Sequence, residues 1–175
     1  MLTALARIST NRAPWLMLAM SAIGLELAAL YFQYGMKLDP CVLCIYERVA
    51  VVGIALAGLL GAVAPAAAWV RWVGMLLWGI SAAWGVTLAL KHVGIQFGEG
   101  LDLSCSFFAE FPAWAPLDLW LPALFQPTGM CDDIQWVFVG LSMPQWMLVI
   151  FSLYLLVLAA LVLSQWFARR DQAPG

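Results

Sequence analysis

The chain has 175 residues, 65% of them hydrophobic and only 10% charged, with a mean hydropathy of +0.92. A water-soluble domain has about 45–50% apolar and about 25% charged residues, so this composition implies an integral membrane protein, built as one domain. The net charge of −2 and the scattered basic residues give no footprint for nucleic acid.

In chain order, a polar tail carrying Arg7 and Arg12 precedes a first apolar segment, about residues 14–33, long enough to cross a bilayer core. It is longer than the apolar part of a secretory leader and is interrupted by Glu26, so a retained span is expected. Glu26 itself is expected to face the bundle interior. A short outer loop, about residues 34–44, leads into a second span at about 45–63, whose small residues suit close helix approach in lipid. Pro65 ends it, and a tight turn makes the third span, about 69–90, its antiparallel neighbour, ending at Lys91 and His92. A long loop, about residues 91–145, then breaks the apolar pattern, as long functional loops do. Within it Trp114, Leu117, Trp120, Leu121, Leu124 and Phe125 recur at helical spacing, with Asp118 at the edge of that face. They predict a short interfacial helix, opened by Pro116 and bent at Pro122. The last span covers about residues 146–167. The expected fold is therefore an all-α bundle of four membrane-spanning helices plus that short helix.

Four spans put both termini on one side, together with Arg7, Arg12, Arg71, Arg169 and Arg170. The other side carries Lys37, Arg48 and Lys91. The positive-inside rule places both tails in the cytoplasm and all four cysteines on the opposite face, where disulfides persist.

The chemistry starts at Pro40-Cys41-Val42-Leu43-Cys44-Ile45-Tyr46-Glu47-Arg48, a C-x-x-C pair where a polar loop enters an apolar segment. If a helix begins there, Cys44 falls in its first turn, where unpaired N–H groups and the macrodipole favour a thiolate. Arg48, one turn on, shares that face and is expected to reach back toward the sulfur. The other cysteines, Cys105 and Cys131, lie in the long loop. Their spacing does not suit a zinc finger, and His92 is the only histidine, so no metal is expected. Two dithiol couples on one face can pass electrons by thiol–disulfide exchange. Such a relay needs an outer dithiol donor and a two-electron acceptor at the lipid edge. A soluble thiol protein fits the first and a membrane quinone the second, with His92 a candidate hydrogen-bonding group.

The CVLCIYER stretch, the cysteines at 105 and 131, and MPQW before the last span closely resemble the disulfide bond formation protein B (DsbB) family. The resemblance covers nearly the whole chain. It implies a quinone-dependent thiol oxidase of the bacterial inner membrane that reoxidises a periplasmic DsbA-like protein, with ubiquinone or menaquinone as cofactor. It further implies that Cys41 and Cys44 form the quinone-facing pair, Cys44 engaging the quinone, and that Cys105 and Cys131 form the loop pair, Cys105 taking the partner's mixed disulfide. Arg48 and His92 match the family's quinone-site arginine and histidine, and Leu88, Met143 and Trp146 are expected to line the same pocket. Two other readings stand beside it. Vitamin K epoxide reductase-like proteins resemble this chain in helices and cysteines, but in them the loop cysteines precede the C-x-x-C, whereas here they follow it. A non-enzymatic membrane scaffold or metal carrier would hold Cys105 and Cys131 as an inert bridge.

Overall fold

A computed structural model describes residues 9–98, 105–106 and 108–170, with side chains to residue 167. Four long helices carry the fold. Helix α1 (Arg12–Leu30) runs on through a π-helical turn at Tyr31–Gly35, α2 covers Val42–Val63, α3 Ala68–Phe97, and α6 Met143–Arg170. Between α3 and α6 lie two single helical turns, α4 (Leu117–Trp120) and α5 (Pro122–Phe125). A two-residue hairpin follows, β1 (Val137–Phe138) pairing antiparallel with β2 (Leu141–Ser142). At 1.5 Å per residue the 22 residues of α2 span about 33 Å, enough to cross a bilayer's hydrocarbon core. All four helices are apolar enough to cross a membrane, which makes this a multi-pass membrane protein.

Helix α2 packs between α1 and α3, and α3 packs in turn on α6. The shared core joins Trp15, Leu18 and Ala22 of α1 to Val51 and Ile54 of α2, Met75 and Trp78 of α3, and Phe151 of α6. Small residues let the axes approach. The place of a side chain at Gly58 is taken by the α1 backbone at Ala19 and Trp15, and that at Gly85 by the Phe151 ring. Lipid has no hydrophobic drive to bring helices together, so this close fit supplies the association. The opposite faces, including Met17, Leu27, Leu56, Leu76, Ile80 and Leu156, are exposed and apolar, as surfaces toward acyl chains must be. Trp69, Trp72 and Trp166 are exposed near one end, and Tyr31, Tyr34 and Trp120 near the other, the pattern expected of interfacial aromatic belts.

Three element boundaries differ from the sequence reading. Helix α3 continues past Lys91 and His92 to Phe97, because nothing before Gly98 stops it. Gly98 adopts φ 71° and returns its N–H to the Gly94 carbonyl, a left-handed C-terminal cap. Helix α6 starts at Met143, since Pro144 lies in the first turn, where its missing N–H has no intrahelical partner to lose. The single interfacial helix is instead the two turns α4 and α5. Leu121 between them sits at φ −136°, ψ 66°, held off the helical region by the ring of Pro122. The hairpin carried no signal in the sequence. Its turn places both Val139 (φ 50°) and Gly140 (φ 78°) in the left-handed region, and valine is a rare choice there.

The close contact at Gly58 makes a testable demand. Even a Cβ there would lie 2.7 Å from the Ala19 nitrogen, whereas Gly24 on α1 has open space around it. Gly58→Leu should destabilise the bundle by about 1–3 kcal/mol, read as a lower thermal midpoint in detergent. Gly24→Leu should leave the midpoint nearly unchanged.

Candidate functional site

The cysteines come together at the loop end of the bundle. Cys41 is the N-cap of α2, and its sulfur accepts the Cys44 backbone N–H at 3.2 Å. The helix-start donor thus holds the Cys41 sulfur, while Cys44, in the first turn, lies with its sulfur 2.7 Å from that of Cys41. Both of these cysteines are unbridged, whereas Cys105 and Cys131 form a disulfide. The two pairs share one buried cluster in which Cys41, Leu43, Ile95 and Cys131 pack together, with Cys44, Tyr46, Leu88 and Cys105 at its margin.

A backbone clamp brings the loop back to the helix start. The N–H groups of Thr128 and Gly129 both donate to the Pro40 carbonyl, at 2.8 and 3.0 Å. Gln135 bridges Asp39, accepting its N–H at 2.8 Å and donating to its carbonyl at 3.2 Å. Thr128 Oγ1 adds a bond to Asp39 Oδ1. Cys131, between these contacts, is thereby set beside Cys41. The Asp39 carbonyl occupies the place of a side chain at Gly129, so only glycine allows the strands to approach this closely. A second tether joins Tyr46 to the loop, with the Glu110 N–H donating to its hydroxyl at 2.7 Å.

Successive turns of α2 line up Cys44, Glu47, Arg48 and Val51 on one face. They front a cleft that encloses about 850 Å³ including its open mouth, walled by Leu25, Phe32 and Gln33 of α1, His92 and Gln96 of α3, and Met143 and Met147 of α6. Of the residues expected at the acceptor site, the structure brings Cys41, Cys44, Arg48, His92 and Met143 to this cleft. Leu88 packs against the cysteine cluster without lining it. Trp146 turns to the hairpin, its Nε1 donating to the Phe138 carbonyl at 3.0 Å.

Arg48 lines this cleft with Cys44 but directs its hydrogen bonds elsewhere. Its guanidinium donates to Gln33 Oε1 at 2.7 Å, the Leu124 carbonyl at 2.9 Å and the Ala29 carbonyl at 3.3 Å. The side chain ties α2 to α1 and to the loop; the group touching the dithiol is His92. Its Nε2 lies 3.5 Å from Cys41 Sγ, and its Nδ1 3.3 Å from Glu47 Oε1. Because α3 does not end at Leu90, His92 is an interior residue, 3% exposed, and Lys91 beside it points outward. Glu47 was not singled out in the sequence. Its signal was there: a carboxylate in an apolar span, three residues beyond Cys44 and on its face.

Comparison with known proteins agrees over most of the chain. A family model described as Disulfide bond formation protein DsbB matches residues 11–161. A relative named Disulfide bond formation protein B from Psychromonas ingrahamii is 55% identical over 163 residues, covering 93% of this chain and 88% of its own length. One of the same name from Shewanella amazonensis is 56% identical over 87% of this chain and 90% of its own length. Another, from Aeromonas hydrophila, is 50% identical over 94% and 95%.

The clamp around Asp39 is open to test. Gln135→Ala removes both bonds to the Asp39 backbone, each contributing about 0.5–1.5 kcal/mol net. Hydrogen exchange at the Asp39 amide should accelerate about tenfold or more, given roughly 1.4 kcal/mol per decade, while the α2 core amides keep their protection.

Proposed function

Since the chain belongs to the DsbB family, a family of membrane proteins of disulfide bond formation, we propose that it is a thiol:quinone oxidoreductase of the bacterial inner membrane that reoxidises a periplasmic DsbA-type thiol protein. The observation that carries this reading is the single buried cluster joining the loop disulfide to a dithiol that fronts an apolar cleft.

The residues act as follows. A thiolate of the reduced partner attacks the Cys105–Cys131 disulfide at Cys105, the half-buried sulfur of the two, and Cys131 leaves as a thiolate. The partner's second thiolate then attacks its own sulfur in the mixed disulfide and frees Cys105. The loop dithiol is reoxidised by the Cys41–Cys44 disulfide, whose Cys41 sulfur packs in the same cluster as Cys131. Electrons now rest on Cys41 and Cys44, with the loop pair bridged.

The cleft suits a quinone headgroup: its walls are mostly apolar, Arg48 lies on one side, and the buried Oε1 of Glu26 on the same lining has no protein hydrogen-bond partner among the described residues. Bound there, ubiquinone or menaquinone supplies the capacity to take two electrons and two protons. Leu25, Phe32, Met143 and Met147 would hold and shield the ring. Arg48 places fixed positive charge where negative charge gathers on an oxygen, an electrostatic role. His92, aligned by Glu47, keeps a ring nitrogen at the Cys41 sulfur, placed to hold a proton as the thiol and thiolate interchange. Both termini and the 64–68 turn are cytoplasmic in this reading, and residues 105–142 are periplasmic.

Purified protein with added quinone should oxidise a reduced DsbA-type protein catalytically; failure with both quinone classes would overturn the assignment. Arg48→Ala should raise the apparent quinone KM and lower turnover about tenfold or more, as loss of a charge-assisted bond worth about 1.5–3 kcal/mol implies. Arg48→Lys should recover only part, since a point charge cannot reproduce three directed bonds. Cys131→Ala should accumulate a mixed disulfide between Cys105 and the partner, seen on non-reducing gels. Accumulation through Cys131 in Cys105→Ala alone would reverse the order. With native cysteines replaced, an impermeant thiol reagent should label Trp114→Cys on cells with permeabilised outer membranes, and leave Ala66→Cys unlabelled.

A further inference from the structure

The Cys41 and Cys44 sulfurs and a ring nitrogen of His92 all lie within 4.8 Å of one another. Cys41 and His92 are buried, and all three residues line the cleft, which provides a route in. We propose that the reduced Cys41–Cys44 pair and His92 form a binding site for a thiophilic divalent cation of the zinc class, one that exists only in the dithiol state.

The donor set is Cys₂His, which with one open position is a known tetrahedral zinc arrangement. Zinc–sulfur and zinc–nitrogen bonds of about 2.3 and about 2.0 Å place a sulfur and a nitrogen about 3.5 Å apart across a tetrahedral edge. The Cys41 Sγ to His92 Nε2 distance is already 3.5 Å. The two sulfurs, 2.7 Å apart, must open to about 3.8 Å for the same bond lengths. Cys44 is only half-buried and faces the cleft, so a rotation of its side chain can provide that opening. Glu47 completes the design. Accepting from His92 Nδ1 at 3.3 Å, with both side chains no more than 5% exposed, it fixes the tautomer that turns the Nε2 lone pair toward the sulfurs. This is the carboxylate–histidine–metal arrangement of zinc proteins. Asp39 and Asp133 on the cleft lining add negative charge along the way in.

Binding balances as one cation taken up and two thiol protons released. A disulfide has no thiolate to offer, so oxidation of the pair expels the ion, and a bound ion holds the pair reduced. All three ligands line the cleft, so the loaded protein is also closed to an electron acceptor there. The site lies beyond the proposed electron route, and its test needs neither quinone nor partner protein.

The test uses the full chain with Cys105→Ser and Cys131→Ser, leaving Cys41 and Cys44 as the only thiols, freed of quinone and reduced without oxygen. Cobalt(II) is the probe, and zinc the competitor. One equivalent should bind with a thiolate-to-cobalt charge-transfer band and tetrahedral visible bands, and zinc should displace it. The same protein with the pair oxidised should bind none. Glu47→Gln, a near-isosteric change, should weaken binding about 10- to 100-fold. His92→Ala should weaken it more than that and alter the visible bands, with helical circular dichroism and two alkylatable thiols certifying each variant. Absence of a stoichiometric tetrahedral spectrum, equal binding by the oxidised pair, or undiminished affinity in both variants would overturn the proposal.

Discussion

The structure depends on one docking contact, the return of the long loop onto the residues just before α2. Thiol–disulfide exchange needs sulfurs that can meet, and Cys131 stands ninety residues from Cys41 in the chain. The Pro40 carbonyl, taking the N–H groups of Thr128 and Gly129, and the Gln135 bridge to Asp39 remove that separation. All of these bonds engage main-chain groups of Asp39 and Pro40, so they set register as well as proximity. Without them the loop disulfide would be a closed ring in the long loop with no defined route to the helix dithiol.

A second constraint comes from the lipid. Buried polar groups in a bilayer have no water to turn to, so leaving one without a partner inside the protein is costly. Arg48 meets this with two main-chain carbonyls and a glutamine oxygen drawn from α1 and the loop. Glu47 and His92 meet it with each other. The pairing carries a structural consequence for each: Arg48 closes the cleft against α1, and Glu47 sets the direction of the imidazole beside Cys41. Charge inside the span is thus used twice, for cohesion and for positioning.

The span pattern was legible because apolar runs of bilayer length separated by Pro and charged residues have few other meanings in a chain this hydrophobic. The helix ends were less so. Lys91 and His92 look like a stop only if both face water, whereas helical rotation exposes Lys91 and buries His92. The interfacial segment had helical spacing, but Pro122 acts on the backbone of Leu121, and periodicity does not register that. At the site, Cys44 to Arg48 could be placed on one face from local spacing alone. That Arg48 would turn to Gln33 and Leu124 could not, since those partners come from α1 and from a loop with no regular period. The clamp around Asp39 was hidden for the same reason.

Burial orders the four sulfurs in a way that suits the proposed relay. Cys105 is half-buried and Cys131 fully buried; Cys41 is 1% exposed, and Cys44 is again half-buried at the cleft. The ends of the sequence are open, one toward the aqueous loop and one toward the cleft, while the middle two pack together. A thiolate in the open is available to any passing disulfide or oxidant. In the proposed relay, a dry middle would confine attack from outside to Cys105 and Cys44. The order is produced by two unrelated pieces of local structure. The helix start buries Cys41 as a cap and leaves Cys44 in the first turn facing the cleft. The loop clamp buries Cys131 and leaves Cys105 at the margin, beside the segment tied down through Tyr46. Directionality in such a chain does not require a moving part. It requires that the two inner sulfurs see each other and that the two outer ones do not share a solvent.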